Sequence, residues 1–528
     1  MTAPLHIPVL PLKKEGHDTS RPAISPPTCP TINVIGQANL FMGKFSSALE
    51  NNDIESLLEV IHPDCSWRDM LALTWEYHTF RGKASIRAVL EKRLNDTQFS
   101  YFALEAGKTP FLVNAAGIFK WIVMIASFET KIARGRSVIR LMLDKDQWKA
   151  HIIFTRMNEL KGFEEAIGLR RKKGVSHSEK LGRQSWLEEW QEKIEQGNPD
   201  VLIIGAGQGG LTMAARLGML NVNALVVEQN ERIGDNWRER YKFLVLHDPV
   251  YTDHLAYMPF PESWPVFTPK DRLADWFESY AKALELRVWT KSVTGETTFN
   301  EASKKWTVKV IRADGTVRTL YPSHIILATG QNGQPIIPYI PGIEDFEGIV
   351  HHSNRHTTGK DFSGKKAVVV GSANSAHDIA QDFYEHGADT TMIQRSSTLV
   401  VTLESIYSTI YKGIFDGSGP ATEDADLLFQ SVPFDFLEQI HKIKIKQLEV
   451  ADKDLYEGLE NAGFKLNRGI NDAGVLSQYF HRGGGHYIDI GCSKLIIEKK
   501  IKIKQGQISH FDRNGVVFED GHPSMIHL

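Results

Sequence analysis

Two continuous apolar runs, each followed by a turn of small residues and then an amphipathic stretch, dominate the pattern of the central chain. They are Val201 to Ile204 and Ala367 to Val370. An apolar run without alternation predicts a strand buried on both faces, as in a parallel sheet. The stretches Leu211 to Leu217 and Ile379 to Phe383 then show helical spacing. The pattern therefore predicts two strand–turn–helix units of the α/β type.

The pattern before residue 170 is different. Apolar residues at helical spacing come first, from Phe41 to Ile61 and from Ile86 to Leu94. Long strand patterns follow, at Phe119 to Ile125, Ser137 to Leu143 and Trp148 to Arg156. Helices followed by a curled antiparallel sheet form an α+β domain.

The first turn between strand and helix carries the spacing of a dinucleotide-binding fingerprint. Gly205-x-Gly207-x-x-Gly210 would allow a tight turn, close approach of a pyrophosphate to the backbone, and close helix–strand packing. The next strand, Ala224 to Val227, ends at Glu228, an acid placed to accept hydrogen bonds from ribose hydroxyls. Because Glu228 would repel a 2′-phosphate, this site suits FAD or NAD rather than NADP.

The second fingerprint is degenerate. Gly371 is kept, but Ala373 and Ala376 stand where the second and third glycines would be. The run still opens a helix, whose N-terminus can hold a pyrophosphate. The following strand ends at Arg395 and Ser396 rather than at an acid, and a guanidinium beside a hydroxyl favours NADPH over NADH. The contrast between the two strand ends assigns FAD to the first unit and NADPH to the second.

These patterns predict an α/β protein with two dinucleotide-binding, Rossmann-like domains preceded by an α+β cone-like domain. A chain of 528 residues is too long for one hydrophobic core. The predicted segments are a disordered arm over residues 1–32, the α+β domain over 33–169, a linker with a helix over 170–199, the FAD-binding domain over 200–345 and the NADPH-binding domain over 346–528.

Composition narrows the partners and the compartment. A formal net charge of −3 gives no reason to expect a nucleic-acid partner. No apolar run approaches the ~20 residues that span a bilayer, so we expect no integral membrane segment. The three cysteines, Cys29, Cys65 and Cys492, match neither a disulfide framework nor a zinc site. We therefore expect a cytoplasmic protein without a bound metal.

The segments around the fingerprints resemble the flavin-containing monooxygenases, including the plant indole-pyruvate type and a fungal group of similar layout. The resemblance lies in the Trp-centred run from Arg232 to Tyr241, in Ala-Thr-Gly at 328–330 and in the connector Phe346-x-Gly348-x-x-x-His352. The residues that it assigns to the cofactors, besides the first glycines, are Trp237, Thr329, Gly330, His352, Asn374 and Ser375.

The resemblance implies that NADPH reduces FAD, that O₂ then forms a flavin C4a-hydroperoxide, and that one oxygen atom passes to a small organic substrate. Arg240, His247 and Asn332 are the candidates for the reactive edge of the flavin. The family usually carries Tyr, Phe or Trp where this chain has His356, so the resemblance does not define the substrate.

Two alternatives remain open for the reaction. A two-nucleotide layout also serves disulfide reductases, but these need a cysteine pair, and no CxxC spacing exists here. A non-enzymatic alternative is an inactive or truncated flavoprotein form that acts as a binding or assembly module through its N-terminal domain.

The N-terminal domain resembles the nuclear-transport-factor-2-like or ketosteroid-isomerase-like cone. Such a cone could hold a small molecule at a mouth lined by Asp64, Asp69 and His78, or it could serve structure and homodimerisation. In the second interpretation the carboxylates cap turns. The aromatic residues that it assigns to the core are Trp67, Trp75, Phe80 and Trp121.

The C-terminal pattern predicts an incomplete second domain. Ile501 to Ile503 and Val516 to Phe518 predict a strand pair like the hairpin that precedes Ala-Thr-Gly in the first half, but no second Ala-Thr-Gly strand follows before Leu528. An uncovered sheet edge would leave the last residues poorly packed and FAD weakly bound.

Overall fold

The computed structural model describes residues 32–174, 184–195, 197–331, 334–519 and 526–527. Nearly all of the arm predicted over residues 1–32, and also Asn332, lie outside these ranges. No helix within them is long and apolar enough to cross a membrane.

The N-terminal domain consists of three helices and a seven-stranded sheet. Its elements are α1 (Val34–Glu50), α2 (Ile54–Glu59), β1 (Ile61–Met70), β2 (Tyr77–Arg81), α3 (Gly82–Thr97), β3 (Ser100–Leu104), β4 (Phe111–Ala115), β5 (Phe119–Glu129), β6 (Ala133–Asp144) and β7 (Gln147–Leu160). The strand order is β2-β1-β7-β6-β5-β3, with β4 also paired to β5. The α+β arrangement and the three long strands agree with the sequence pattern, which missed β1 to β4.

Both faces of this sheet are buried. Along β5, Ile122 and Met124 join the core that the three helices form, whereas Trp121, Val123 and Ile125 belong to a separate apolar cluster on the opposite face. Side chains alternate between the two faces of a strand, so a strand covered on both sides reads as one apolar run.

Asp69, a candidate ligand residue of this domain, has a structural role, and the predicted core tryptophans fall in different environments. Asp69 is buried and accepts hydrogen bonds from the amides of Leu73 and Thr74 and from the Thr155 hydroxyl, so it caps the turn after β1. Trp67 and Trp121 are core residues, as expected. Trp75 is 66% exposed in the turn between β1 and β2, so its assignment to the core was wrong.

The first α/β unit follows the docked helix α4 (Trp186–Glu195). It contains β8 (Val201–Ile204), α5 (Gln208–Met219), β9 (Ala224–Val227), α6 (Asp235–Arg238), α7 (Lys270–Ala283), β10 (Val288–Trp289), β11 (Val293–Asn300), β12 (Lys305–Ile311), β13 (Val317–Leu320) and β14 (His324–Leu327). The parallel sheet has the order β10-β9-β8-β14, and β11 to β13 form a separate antiparallel sheet.

The second α/β unit is built on the parallel order β15-β16-β19. Its elements are β15 (Lys366–Val370), α8 (Asn374–Glu385), β16 (Asp389–Gln394), β17 (Leu399–Thr402), α9 (Leu403–Thr409), α10 (Thr422–Gln430), α11 (Phe434–Ala451), α12 (Lys453–Asn461), α13 (Gly474–Arg482), β18 (His486–Asp489), α14 (Cys492–Ile497), β19 (Lys502–Gln505), β20 (Ile508–Asp512), β21 (Gly515–Phe518) and β22 (Ile526–His527).

The two parallel sheets differ at one edge. In the first unit β8 lies between β9 and β14, whereas in the described part of the second unit β15 pairs with β16 alone, and Val370 is 64% exposed. The predicted pairing of residues 501–503 with 516–518 was wrong. Ile503 pairs with Met392 of β16, and β21 pairs with β20 instead, because β19 extends the parallel sheet.

Helices α9 to α13 form a helical insert, residues 403–482, that packs on the N-terminal sheet. Leu427, Phe436 and Ile440 of the insert complete the apolar cluster on the outer face of that sheet. Asp424 forms ion pairs with Lys108 and Arg136 beside this cluster. This face is therefore occupied by the chain itself, and the predicted homodimer would use another surface.

Candidate functional site

The first glycine loop needs two of its glycines for packing. A Cβ on Gly205, whose φ is +106°, would lie 2.4 Å from the carbonyl oxygen of Ala328, and a Cβ on Gly210 would lie 1.9 Å from the carbonyl oxygen of Gly205. Gly207 is different: the nearest atom to its added Cβ is Asn236 Nδ2 at 3.9 Å. The loop is therefore tight against β14 and open in front of α5.

The Ala-Thr-Gly segment lies beside this loop. The Ala328 amide donates to the Ile204 carbonyl at 2.8 Å, which continues the pairing of β14 with β8. Thr329 and Gly330 follow and are exposed, with Gly330 at a φ of +88°. Strands β8 and β14 thus end together, and their exposed backbone borders the start of α5.

Glu228 is buried and braces the glycine loop. Its Oε2 accepts a hydrogen bond from the Ala206 amide at 2.7 Å, and its Oε1 accepts one from the Asn230 amide at 2.9 Å. Both bonds leave further lone pairs on a carboxylate that sits at the end of β9. The predicted contact with a ribose stays a prediction.

The Trp-centred segment forms the short helix α6 next to the same loop. Gly234 precedes it at a φ of +92°, and a Cβ there would lie 2.6 Å from the Ala274 carbonyl oxygen, so α6 is held tightly against α7. The indole Nε1 of Trp237 is buried, and no described residue accepts its hydrogen. A buried donor without an acceptor costs free energy, so this N–H is available to a ligand atom.

The second loop keeps the backbone of the first despite its alanines. Ala373 precedes α8 with φ −98° and ψ −175°, close to the −78° and −174° of Gly207 before α5. Because this extended conformation is open to any residue, alanine is tolerated there. Gly371 has a φ of +125°, and an added Cβ would come no closer than 3.9 Å, to Ala376.

The other predicted residues of the second loop divide into bonded and free side chains. Asn374 accepts the Ile488 amide at 2.9 Å through Oδ1 and so ties β18 to the start of α8. Ser375 lies in the first turn of α8. Arg395 and Ser396 are exposed directly after β16, and their side chains make no hydrogen bond or ion pair with the described residues.

A buried hydrogen bond joins the two units. The Tyr241 hydroxyl donates to Asp378 Oδ2 at 2.6 Å, linking the end of the Trp-centred run to α8. The Arg240 guanidinium carbon is 5.6 Å from the centroid of the Tyr241 ring, and the Arg240 Nε is buried without a partner in the described chain. Burial raises the pKa of Asp378, while the Tyr241 hydrogen bond and the charges of His247 and Arg240 oppose the rise.

The charges of two of the three predicted catalytic residues, Arg240 and His247, act on the pKa of Asp378. Asn332 lies outside the described residues. Sequence reasoning missed Asp378 as a member of this group. Its signal was a carboxylate in the second turn of the second fingerprint helix.

The connector histidines are held by local contacts. His352 Nδ1 accepts the Asn354 amide at 3.2 Å. His356 is buried, with Nε2 2.7 Å from Asp382 Oδ2 on α8, and Asp382 also accepts the Gly359 amide. His356 therefore anchors the connector to α8, and the predicted contact of His352 with a cofactor stays a prediction.

Two strand–glycine loop–helix units that meet across a buried tyrosine–aspartate bond define a protein with two nucleotide-binding folds. Residues 202–411, which include both loops, match the pyridine nucleotide-disulphide oxidoreductase family.

Among individual proteins, the chain is similar to the indole-3-pyruvate monooxygenase YUCCA1 of Oryza sativa subsp. japonica, with 35% identity over 215 residues. That alignment covers 40% of this chain and 52% of the rice protein, so the chain spans about half the length of this relative. The probable indole-3-pyruvate monooxygenase YUCCA10 of Arabidopsis thaliana is 26% identical over 324 residues, which are 61% of this chain and 78% of that protein. A solved structure of OTEMO in complex with FAD and NADP aligns with a TM-score of 0.46 and 17% identity, over 62% of this chain and 70% of that one.

Proposed function

We propose that this protein is an FAD- and NADPH-dependent monooxygenase that transfers one oxygen atom from O₂ to a small organic substrate. The observation that carries the proposal is a pair of strand–glycine loop–helix units that meet at the Tyr241–Asp378 hydrogen bond. The strand after the first loop ends at an acid, Glu228, and the strand after the second loop ends at a cation, Arg395. The similarity to relatives named as monooxygenases supports the same activity.

The first unit fits FAD. The open space before Gly207 lets a pyrophosphate approach the first-turn amides of α5, which have no partner within the helix. The exposed backbone of Thr329 and Gly330 borders the same space. Asn236, directly before Trp237, supplies the atom nearest to an added Cβ on Gly207. Glu228, at the end of β9, is the acid that would receive the ribose hydroxyls.

The second unit fits NADPH. The backbone of Gly371 and Ala373 repeats the first loop, and α8 offers its first-turn amides. The exposed guanidinium of Arg395 and the hydroxyl of Ser396 have no protein partner among the described residues. They are therefore free to bind a 2′-phosphate, which prefers charge-assisted hydrogen bonds of this kind.

A flavin reduced by NADPH supplies the activation of O₂. The chain's own residues hold and orient the two nucleotides. Polar side chains lie where the two units meet. Arg240, with its unpaired Nε, provides a positive charge, and His247 and Asp378 provide groups that can hold a proton at this contact. The Tyr241 hydroxyl keeps the Asp378 carboxyl fixed.

The cysteines favour this reaction over disulfide reduction. Cys65 is buried in the N-terminal core and Cys492 in the core of the second unit, so they lie in different domains. Burial raises the pKa of both thiols, which disfavours the reactive thiolate. Cys29 lies outside the described residues.

The finer assignments belong to the same proposal. Three helices packed against a broad sheet support a nuclear-transport-factor-2-like N-terminal domain. Homodimerisation and a cytoplasmic location stay predictions.

The test is to purify the full chain, measure flavin absorbance at about 450 nm, and follow NADPH oxidation together with O₂ uptake. We expect a yellow protein that oxidises NADPH faster than NADH. A protein that stays colourless after incubation with FAD would contradict the proposal and would favour the alternative of a binding module without enzymatic activity.

A further inference from the structure

A cavity of about 390 Å³ lies where the N-terminal domain meets the helical insert. One strand residue of the N-terminal sheet and side chains from α10, α11, α13 and the turn between α10 and α11 line it. The lining residues are Arg68, Phe429, Gln430, Val432, Phe434, Leu437, Phe480 and His481. The volume lies at the lower end of the range of small-molecule sites.

Arg68 brings the only guanidinium among these lining residues. Its neighbours on β1, Trp67 and Asp69, face the domain interior, so Arg68 projects from the opposite face of the sheet, toward the insert. The Arg68 Nε is buried and has no hydrogen-bond partner within the described chain. The carboxylate of Asp435, on the same helix as Leu437, is bonded to Arg81 instead.

The charge of Arg68 therefore has no counter-ion among the residues that the structure describes. Burial and the nearby charge of Arg81 lower the pKa of Arg68, but an arginine stays protonated under such shifts. A half-buried cation whose buried Nε has no partner is unfavourable, and an anion that enters the cavity would relieve this cost.

The remaining lining is largely aromatic. The ring of Phe434 meets the ring of Phe480 edge to face, with centroids 5.5 Å apart, and lies 5.4 Å from the His481 ring. Phe480 is 55% exposed, so much of its ring has no protein contact. A flat apolar group placed beside it would remove apolar surface from water.

We propose that this cavity binds a small organic acid, with its carboxylate on Arg68 and its flat apolar body among Phe429, Phe434 and Phe480. A planar guanidinium pairs with a carboxylate through two parallel hydrogen bonds. Inorganic phosphate would satisfy the charge but would leave the phenylalanines exposed, so the ligand combines an anion with an apolar body.

A helix that lines the cavity, α13, also contacts the first nucleotide unit. On α13, next to Phe480 and His481, the Tyr479 hydroxyl donates to Gln331 Oε1 at 3.0 Å, and Gln331 directly follows Gly330. The cavity is therefore built by the N-terminal domain and the insert, on a helix that contacts the segment after Ala-Thr-Gly. Binding itself does not depend on the proposed oxygenase activity.

The experiment is isothermal titration calorimetry of the full chain with phenylacetate, with its uncharged analogue phenylacetamide and with inorganic phosphate. We expect phenylacetate to bind at least about tenfold more tightly than phenylacetamide, as befits a charge-assisted pair, and phosphate to give no measurable binding. Equal affinity for the acid and the amide, or no binding of phenylacetate, would overturn the proposal.

Variants assign the binding to the cavity. Arg68→Met should weaken phenylacetate binding by about tenfold or more, and Arg68→Lys should restore part of it. The matched control is Arg87→Met, which removes an exposed arginine of the same domain that pairs with Glu55 and should leave binding unchanged. Phe480→Ala should weaken the acid and the amide alike. Unchanged phenylacetate affinity in a folded Arg68→Met protein, checked by thermal unfolding, would refute the site.

Discussion

Replacing Gly210 with alanine tests the packing on which the first nucleotide loop depends. The added methyl would lie 1.9 Å from the Gly205 carbonyl oxygen and 3.2 Å from the Ala328 Cβ. The closest contact is with backbone, so no side-chain rotation relieves it, and α5 must move away from the loop. The neighbouring Gly209 provides the matched control, because a Cβ there meets nothing within 4 Å.

The expected sizes follow from the two environments. Overpacking a tight site costs about 1–3 kcal/mol, and a backbone clash belongs at the upper end. Replacing glycine with alanine within a helix raises the free energy of unfolding by about 1 kcal/mol. Gly210→Ala should therefore lower the free energy of unfolding by about 2 kcal/mol, whereas Gly209→Ala should raise it by up to about 1 kcal/mol.

The assays are thermal unfolding and FAD affinity, measured side by side for the two variants. Gly210→Ala should melt lower and bind FAD more weakly, because the first-turn amides of α5 move with the helix. Equal melting temperatures for the two variants would refute the packing argument. Failure of the parent protein to bind FAD would refute the proposed function and leave the stability comparison intact.

Three further predictions each concern one side chain of the two units. Arg395→Ala should raise the KM for NADPH by about tenfold and leave the KM for NADH unchanged in steady-state assays, because only NADPH carries the 2′-phosphate. Tyr241→Phe leaves the buried Asp378 without its donor and should lower the free energy of unfolding by about 1–3 kcal/mol, measured by denaturant titration. Burial and the charge of Asp248 raise the pKa of Asp253 to about 8. Between about pH 4 and pH 8 its carboxyl is therefore protonated in the folded state and ionised in the unfolded state. Stability should therefore fall as the pH rises between these values, and Asp253→Asn should melt higher than the parent at pH 7 but not at pH 4.

The parts of the site that could be predicted are those whose geometry is local in sequence. Gly205 and Gly210 are required by contacts within one strand, one turn and the adjoining Ala328, and Glu228 lies at the end of the next strand. Arg395 is exposed because it directly follows the last residue of the buried strand β16. Each of these positions follows from a short stretch in which a continuous apolar run ends at a turn.

The parts that could not be predicted depend on contacts between distant segments. Asp424 and Lys108 are 316 residues apart, and no local pattern indicates that they pair. Asp378 reads as one polar position on a helix until Tyr241 is brought to it from the other unit. Trp75 was assigned to the core because it is large and apolar, but composition does not show that it lies in a turn.

The contacts of the N-terminal domain bear on whether it is an appended module or part of the nucleotide-binding body. Its sheet covers Leu427, Phe436 and Ile440 of the insert, and Arg140 donates to Ser431 and to the Leu428 carbonyl at the same interface. Without the domain these apolar side chains of α10 and α11 would face water. A contiguous apolar patch of this kind is an association site in soluble proteins. The N-terminal domain therefore stabilises the insert, whose helix α13 contacts Gln331 after the first Ala-Thr-Gly segment. A chain that lacks the N-terminal domain should lose the fold of the insert.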